Sequence, residues 1–252
     1  MKMPTALFAA TLGFAAASQA GAAEVTVLSG GAAKSGLTGA IAAWEKKSGH
    51  HVKVEFAPAG EMRKKVAAGE ITDILIVPSE NLAEYEKAGA IDMGARRDIA
   101  AVAMGVAVRK GAAAPDISTT EAFKRALTET RSLTYMDPTR GTSGKHFDEA
   151  VLPRLGIRDE VRAKATLGQG GFIAEKVAKG EVDMAIHQIT EMSPVQGVTV
   201  VGPLPAELQK VTVYSGVLMK GAKHRAEAQA LLDFLASAEG RKYFIERGYT
   251  AP

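Results

Sequence analysis

The sequence contains no cysteine and few aromatic residues, and both features exclude classes of function. Because none of its 252 residues is cysteine, disulfide bonds and thiolate metal ligands are excluded, and the fold rests on packing alone. Aromatic residues make up 6% of the chain, the formal net charge is only +3, and no run of lysine and arginine is interleaved with aromatic side chains. These features argue against a nucleic-acid-binding surface, which is normally strongly basic.

Catalytic and metal-binding motifs are also scarce. His50 and His51 are adjacent, so in a strand their side chains point to opposite faces and cannot easily share a metal ion. The pattern HExxH is absent, no serine lies in a nucleophile elbow, and GQGGFIAEK (168–176) lacks the acidic partner of a dinucleotide-binding fingerprint. The sequence therefore predicts that the protein is not an enzyme and needs no cofactor and no metal.

Residues 1–23 are typical of a secretory signal peptide. Lys2 precedes an apolar run over residues 5–17, and small residues follow at positions suited to cleavage. The run is shorter than the roughly 20 residues that span a bilayer, and no later segment is long enough. We therefore expect the mature chain to be exported to the periplasm. Because the signal has no cysteine for lipid attachment, we expect it to be free there.

Strand patterns alternate with helix patterns along the chain. Residues 24–28 form a β-branched run, after which Leu37, Ile41 and Trp44 recur at helical spacing. Residues 73–77 are almost uniformly apolar, as expected for a strand in a parallel sheet that is covered on both faces. This alternation predicts an α/β fold.

An internal similarity favours two lobes of similar build. The segments KKVAAGEITDILIVPS (64–79) and EKVAKGEVDMAIHQIT (175–190) share a helix end, a Gly-Glu turn, an aspartate and an apolar strand. Such a layout is also the common order of any helix–strand unit, so duplication and coincidence both stay open.

Two further strand patterns, at 104–111 and 211–221, lie where the chain would leave the first lobe and return to it. Together they predict a two-stranded hinge. We expect lobe I to be discontinuous and to comprise residues 24–105 and 214–252, while lobe II comprises residues 106–213.

Three stretches of the chain carry a resemblance to one family. They are VTVLSGGAAKSGLTGAIAAWEKKSGHHVKVEFAPAGEMRKKVAAGEITDILIVPS (25–79), TYMDPTRGTSGKHFDEAVLPRLGI (134–157) and HRAEAQALLDFLASAEGRKYFIERGYTAP (224–252). Their order of strands, small-residue turns and helices resembles the molybdate-binding-protein-like periplasmic solute-binding proteins of ABC importers. The resemblance implies a type II periplasmic binding protein, in which two α/β lobes close on a small-molecule solute. It also implies an ABC permease in the inner membrane as partner.

Small-residue turns between strands and helices supply the candidate ligand contacts. In open α/β sheets, ligands lie beyond the carboxyl ends of strands, where free N–H groups at helix starts favour anions. Small side chains let a ligand approach these N–H groups closely. The predicted contacts are Ser29, Gly30, Gly31, Ala32, Ala59, Gly60, Arg140, Thr142, Ser143, Gly170, Gly171, Gln188 and Thr190.

The roles of five polar residues stay open at this stage. Thr142 and Ser143 either bind a ligand oxygen or cap the following helix, and Arg140 either binds the ligand or faces water. His187 faces either the cleft or the adjacent core. Glu191 either is an ordinary helix-start carboxylate or, near a cleft, disfavours a fully anionic ligand.

Three departures from the family pattern bear on the ligand. The resemblance implies serine in the first two small-residue turns and tyrosine after the apolar strand of the segment 175–190, whereas Ala32, Ala59 and Gln188 stand at the matching positions. Each unsatisfied buried oxygen costs roughly 1–3 kcal/mol. We therefore expect a small anion, an organic carboxylate or an oxyanion other than molybdate, bound by a monomer. The alternative is an exported sensor that presents its ligand-bound state to a membrane signalling receptor.

Overall fold

The computed structural model of the protein describes residues 21–252. The predicted signal peptide, residues 1–23, therefore falls almost wholly outside the described residues. The strands are β1 (Glu24–Gly30), β2 (His51–Ala57), β3 (Ile74–Pro78), β4 (Ile91–Arg109), β5 (Leu133–Met136), β6 (Ala165–Gly168), β7 (Met184–Gln188), β8 (Val198–Pro203) and β9 (Val211–Met219).

The helices lie mostly between these strands, as the alternating pattern predicts. They are α1 (Lys34–Ser48), α2 (Ala59–Ala67), α3 (Leu82–Lys87), α4 (Thr120–Glu129), α5 (Thr142–His146), α6 (Leu152–Leu155), α7 (Arg158–Ala163), α8 (Glu175–Ala178), α9 (Ile189–Met192), α10 (Arg225–Ala236) and α11 (Ala238–Ile245). Short 3-10 turns occupy Gly31–Ala33 and Ser79–Asn81, and a π turn occupies Phe147–Val151. Across the described part of the chain, no helix has the length and apolar character needed to cross a membrane.

The strands follow the order β2-β1-β3-β9-β4-β7-β5-β6, with β8 paired to β4. The pairs of β1 with β2 and β3, and of β5 with β6 and β7, are parallel, which confirms the predicted α/β class. The 19-residue strand β4 belongs to both halves of this arrangement. Its residues up to Ala103 pair with β9, and those from Met104 onward pair with β7 and β8.

Strand β4 corrects one detail of the sequence analysis. The pattern at 104–111 is the last part of a strand that begins at Ile91. The pairing of β4 with β9 shifts register between Asp92 and Arg97 and again between Asp98 and Ala100. These irregularities interrupt the alternation of apolar and polar residues on which a strand prediction depends. The predicted lobe boundaries stay a prediction.

Each half of the molecule has apolar residues on both faces of its sheet. In the first half, Leu37 and Phe244 belong to the cluster on one face, and Met62 belongs to the cluster on the other. In the second half, Phe123 and Val177 belong to two corresponding clusters. This two-sided burial explains why all five residues of β3 and all five of β7 are buried.

A buried ionic network fixes the elements behind α5. Asp148 accepts hydrogen bonds from Tyr135 (2.9 Å), Arg158 (2.7 Å) and Arg162 (2.6 Å). Burial opposes ionisation of Asp148, but the hydrogen bonds from Arg162 and Arg158 outweigh it and lower its pKa to about 2. The charged carboxylate therefore ties α7 and β5 to the turn that follows α5.

Candidate functional site

A cavity of ≈ 220 Å³ lies where the two halves meet. The first half lines it with Gly30, Gly31, Ala32, Lys34, Phe56, Ala57, Pro58, Ala59 and Pro78. The second half lines it with Met136, Gly141, Thr142, Ser143, Gly171, Phe172, His187, Gln188 and Glu191. Tyr214 of β9 completes the lining. The carboxyl ends of β1, β2, β5, β6 and β7 thus converge on one pocket, as α/β topology requires.

The first-half wall consists mainly of backbone and small or apolar side chains. Gly31 begins the turn that leads into α1, and Pro58 directly precedes α2. Within residues 21–252, neither start has a side-chain cap. The start of a helix offers free N–H groups and the positive end of the helix dipole. At Gly31 and Pro58 the wall can therefore favour an anionic group through its backbone, without a charged side chain.

The second-half wall contains a chain of three polar side chains. Oγ of Ser143 lies 2.9 Å from Nδ1 of His187. Nε2 of His187 lies 3.0 Å from Oε2 of Glu191, an ion-pair distance, although the angle at the nitrogen is not that of a hydrogen bond. The exposed fractions are 4% for Ser143, 2% for His187 and 7% for Glu191. All three are therefore nearly shielded from water while they line the cavity.

Gln188 presents an amide to the same cavity. The hydroxyl of Tyr214 donates to Oε1 of Gln188 at 3.0 Å, whereas Nε2 of Gln188 has no hydrogen-bond partner in the part of the chain that the structure describes. Burial, reinforced by the charge of Glu191, raises the pKa of Tyr214 well above its usual value, so Tyr214 stays a neutral donor. Gln188 is only 2% exposed, and a buried unpaired N–H group of this kind calls for an acceptor.

Lys34 places a cation among the lining residues. Its Nζ lies 5.5 Å from the ring centre of Phe56 and 5.4 Å from that of Phe172. Phe56 belongs to the first half and Phe172 to the second, so the ammonium group lies between aromatic rings of both. Among the described residues that line the cavity, Lys34 is the only lysine or arginine. Its side chain remains exposed, which places the charge at the edge of the pocket.

The structure brings most of the predicted contacts together. Those that line the cavity are Gly30, Gly31, Ala32, Ala59, Thr142, Ser143, Gly171 and Gln188. Ser29, Gly60, Arg140, Gly170 and Thr190 do not line it. Whether any of these residues binds a ligand stays a prediction.

The residues outside the lining have other partners. Arg140 donates from Nε to the carbonyl of Gln169 at 2.6 Å. The hydroxyl of Thr190 donates to the carbonyl of Ala32 at 3.1 Å, and that of Ser29 donates to the carbonyl of Gly30 at 3.2 Å. These side chains therefore organise the walls around the cavity.

The alternatives left open for α5 and β7 can now be compared with the geometry. Gly141 is the N-cap residue of α5, and among residues 21–252 no side chain caps this helix. The hydroxyl of Ser143 contacts His187 instead. His187 is buried and lines the cavity, so cleft and core are not exclusive. Glu191 lies on the cavity wall, where a carboxylate disfavours a fully anionic ligand.

Sequence reasoning missed several lining residues. Tyr214 lies in β9, far along the chain from the turns it contacts, and no local pattern marks it. Phe172 directly follows the glycines at 170 and 171, and Lys34 follows the first turn, so proximity to the predicted turns was a usable signal for both. Phe56, at the end of β2, has the same signal.

The two halves touch beside the cavity. The amide of Gly60 donates to the carbonyl of Arg140 at 3.0 Å. Nζ of Lys210 lies 2.7 Å from Oε1 of Glu80. These contacts join α2 to the turn before α5, and the turn after β3 to the segment before β9, so the two halves are in contact next to the cavity.

Two α/β halves that share a long strand and enclose a small pocket define a two-lobed ligand-binding protein. The model of the family described as "Bacterial extracellular solute-binding protein" matches residues 25–250, and the chain belongs to this family. The predicted resemblance is thereby confirmed.

Two relatives match most of this chain, and one of them is named as an enzyme. The chain is 31% identical over 231 residues to a Pseudomonas sp. protein named aconitate isomerase, which covers 89% of this chain and 86% of that protein. It is 27% identical to the molybdate-binding protein ModA of Haemophilus influenzae, over 99% of this chain and 98% of that one.

A solved structure confirms the fold. The periplasmic molybdate-binding protein of Azotobacter vinelandii superposes with a TM-score of 0.76 at 17% identity, over 90% of this chain and 99% of that one. The type II periplasmic binding protein fold is therefore confirmed. By family, the protein is a bacterial extracellular solute-binding protein.

Proposed function

We propose that the protein captures a small organic carboxylate between its two lobes and presents it to an ABC permease. The observation that carries this proposal is the buried amide of Gln188, whose Nε2 lacks a partner among the described residues in a pocket that also has Lys34 in its lining. An amide donor and a cation together suit the two oxygens of a carboxylate.

The other lining residues argue for an elongated ligand. Glu191 is an acceptor and carries the wrong charge for an anion, while Ala32 and Ala59 offer no hydroxyl donors. A tetrahedral oxyanion presents acceptors in every direction, so part of it would meet Glu191 or an alanine. An organic acid can direct its carboxylate toward Lys34 and Gln188 and its remaining atoms toward the alanines and Phe56. This difference supports a carboxylate over molybdate.

A ligand screen tests the proposal. A solute that binds only the folded protein raises its melting temperature, so small di- and tricarboxylates are compared with molybdate, tungstate and sulfate. Calorimetry then gives Kd for the strongest ligand. We expect the carboxylates to give the largest shifts, and we expect Lys34→Met to weaken their binding. The matched control is Lys47→Met, because Lys47 is exposed and paired with Glu239 in α11, outside the pocket lining.

The opposite ranking would overturn the proposal. If molybdate and tungstate stabilise the protein most at micromolar concentration, the argument from Ala32, Ala59 and Gln188 is wrong. The monomeric state and the free, unanchored form after signal cleavage belong to the same proposal. Light scattering of the exported protein measures the first, and mass spectrometry of that protein measures the second.

We also propose a second candidate function, isomerisation of an unsaturated carboxylate. The Pseudomonas relative is named aconitate isomerase, and aconitate is an unsaturated tricarboxylate. The specific observation in this chain is that Ser143, His187 and Glu191 form a buried polar chain on the cavity wall. This candidate is the alternative to the expectation that the protein is not an enzyme. Incubation with trans-aconitate, followed by NMR for the cis isomer, tests it.

A further inference from the structure

A carboxylate lies on the wall of a pocket that is proposed to hold a carboxylate. Glu191 is only 7% exposed, and its Oε1 lies 2.7 Å from the point that a Cβ atom on Gly31 would occupy. The absence of a side chain on Gly31 is what leaves room for this group. Two negative charges repel strongly where little water screens them. Binding of an anion therefore gains nothing from Glu191, and another role has to explain its place.

The surroundings of Glu191 resemble those of a positioned acid–base group. Nε2 of His187 lies 3.0 Å from Oε2 of Glu191, and Nδ1 of the same ring lies 2.9 Å from Oγ of Ser143. When the hydroxyl of Ser143 donates to Nδ1, the proton of a neutral imidazole is on Nε2, next to Glu191. Ser143 of α5 and His187 of β7 thus lie in line behind the carboxylate of Glu191 in α9.

We propose that Glu191 transfers a proton between two carbon atoms of a bound unsaturated di- or tricarboxylate. This inference rests on the second candidate function above and assigns its catalytic residue. Ser143 and His187 are positioning residues, since they act on the ligand through Glu191. The chemistry needs a base that also returns the proton, and a carboxylate in a water-poor pocket does both.

The proposed step moves one proton and one double bond. The carboxylate of Glu191 removes a proton from a methylene group that lies between a carboxylate and a carbon–carbon double bond. The electron pair of the broken C–H bond delocalises across the allylic carbons and onto the carboxylate oxygens. The protonated Glu191 then delivers a proton to the far carbon of the allylic system, and exchange of the Glu191 proton with solvent before this delivery carries deuterium from D₂O into the ligand. The double bond has moved by one position, the protein is unchanged, and no oxidant or cofactor is consumed.

The donors of the pocket support the same step. Negative charge accumulates on the ligand's carboxylate oxygens while the proton is on Glu191. The buried amide of Gln188 and the ammonium group of Lys34 are the groups in the lining that stabilise such charge. The hydrogen bond from Tyr214 fixes the Gln188 amide, so this stabilisation is present before the reaction begins.

Isotope exchange tests the role of Glu191 directly. The purified protein is incubated with trans-aconitate in D₂O, and NMR follows deuterium entering the methylene and vinyl positions together with formation of the cis isomer. Calorimetry on the same samples measures binding. We expect Glu191→Gln to keep or strengthen binding while it lowers the exchange rate by about 100-fold or more. Glu191→Asp keeps a carboxylate at a greater distance and is expected to retain measurable exchange.

The positioning residues and a control complete the set. Ser143→Ala is expected to lower kcat with little change in KM, and Ser143→Thr, which keeps a hydroxyl, is expected to restore it. Glu175→Gln is the matched control, because Glu175 is exposed at the start of α8 and does not line the cavity. Its exchange rate is expected to equal that of the unaltered protein.

The outcomes separate this inference from the functions on which it rests. Unchanged exchange in Glu191→Gln overturns the role of Glu191 and leaves the isomerase candidate standing. Binding of trans-aconitate without exchange or isomerisation overturns both and leaves the receptor proposal standing. Absence of binding overturns the substrate class, and the carboxylate screen above then decides the receptor proposal separately.

Discussion

The two walls of the cavity differ in what they are made of. The first half contributes backbone, glycines, alanines and aromatic surface, with Lys34 as its one charged lining residue among those the structure describes. The second half contributes polar side chains, namely Thr142, Ser143, His187, Gln188 and Glu191. The comparison teaches that shape and chemistry are divided between the lobes. The first wall mainly limits what fits and adds the charge of Lys34, and the second wall supplies most of the polar side chains.

The same contrast continues behind the walls. In the first half, the buried Asp73 accepts hydrogen bonds from the backbone amides of Thr26, Lys223 and His224. In the second half, the buried Asp148 accepts from the side chains of Arg158 and Arg162. Backbone donors from distant parts of the sequence converge on Asp73, whereas two arginine side chains of the nearby helix α7 converge on Asp148. The position of the second-half wall therefore depends on the ionic network around Asp148, whereas backbone hydrogen bonds to Asp73 support the first half.

The largest expected effect is on stability and comes from Gly144→Ala, which disrupts the packing of α5 in the second-half wall. A Cβ atom at position 144 would lie 1.9 Å from the backbone oxygen of Met136, so α5 cannot stay where it is. We expect the free energy of unfolding to fall by about 3 kcal/mol, because the clash is with backbone and cannot be relieved by a rotamer change. Urea denaturation measures the loss.

The control for this substitution is Gly39→Ala in the first half. There the new Cβ atom would lie 3.2 Å from Cδ1 of Tyr243, and the gain in helix propensity offsets the tight contact. We expect the free energy of unfolding to stay within about 1 kcal/mol of the unaltered protein. Equal losses in the two variants would contradict the structure at α5.

The second prediction concerns acid, and it tests the ionic network around Asp148. The pKa of Asp148 is lowered to about 2, so its ionic network is fully formed above pH 4 and is lost as the pH falls toward 2. We expect the stability difference between the unaltered protein and Asp148→Asn to shrink by at most about 2 kcal/mol over this range. Urea denaturation of both proteins at several pH values measures it.

Salt provides a check on the origin of that effect. Arg158 and Arg162 are partly exposed, so salt screens them more than it screens the backbone donors to Asp73. We expect the advantage of the unaltered protein over Asp148→Asn at pH 7 to fall with added salt. A difference that does not change with pH between 4 and 2 would show that the lowered pKa of Asp148 is wrong.

The smallest expected effect comes from Ala59→Ser, which makes the first-half wall more like the second. The new side chain adds a hydroxyl donor to the first-half wall, whose described lining residues include no hydroxyl, and one hydrogen bond contributes about 1 kcal/mol. We expect Kd for molybdate or sulfate to improve by roughly fivefold while Kd for a carboxylate changes less. Calorimetry gives both constants.

The control for the added hydroxyl is Ala67→Ser, because Ala67 is exposed at the end of the same helix, α2. This variant is expected to bind every ligand as the unaltered protein does. If Ala59→Ser also leaves oxyanion affinity unchanged, the scarcity of donors on the first wall is not what disfavours these ligands.

The sequence predicts the turns of the pocket well because strand, turn and helix are local patterns. Gln188 illustrates this, since it lies at the end of an apolar strand and α/β topology places that end at the pocket. Thr142 and Ser143 are found for the same reason. The fold determines where residues at strand ends lie, and the alternation of strand and helix patterns is enough to predict that fold.

The other features of the site depend on contacts between residues that are far apart in the sequence or in different elements, and no local sequence pattern shows them. Arg140 lies in a predicted turn, but its side chain direction is set by the carbonyl of Gln169 on another turn. Tyr214 reaches Gln188 only because β9 and β7 flank β4 on opposite sides. The pairing of His187 with Glu191 also becomes visible only when α9 is seen to follow β7 directly.

The hydrogen bond from Gly60 to Arg140 has a consequence for how motion of the protein can be observed. Its donor and acceptor belong to different halves, so the bond breaks whenever the halves separate. The hydrogen on that nitrogen then becomes free to exchange with deuterium from the solvent. The exchange rate of this single amide therefore reports how often the two halves open. A bound ligand should slow the exchange in proportion to the fraction of time for which it keeps the halves closed.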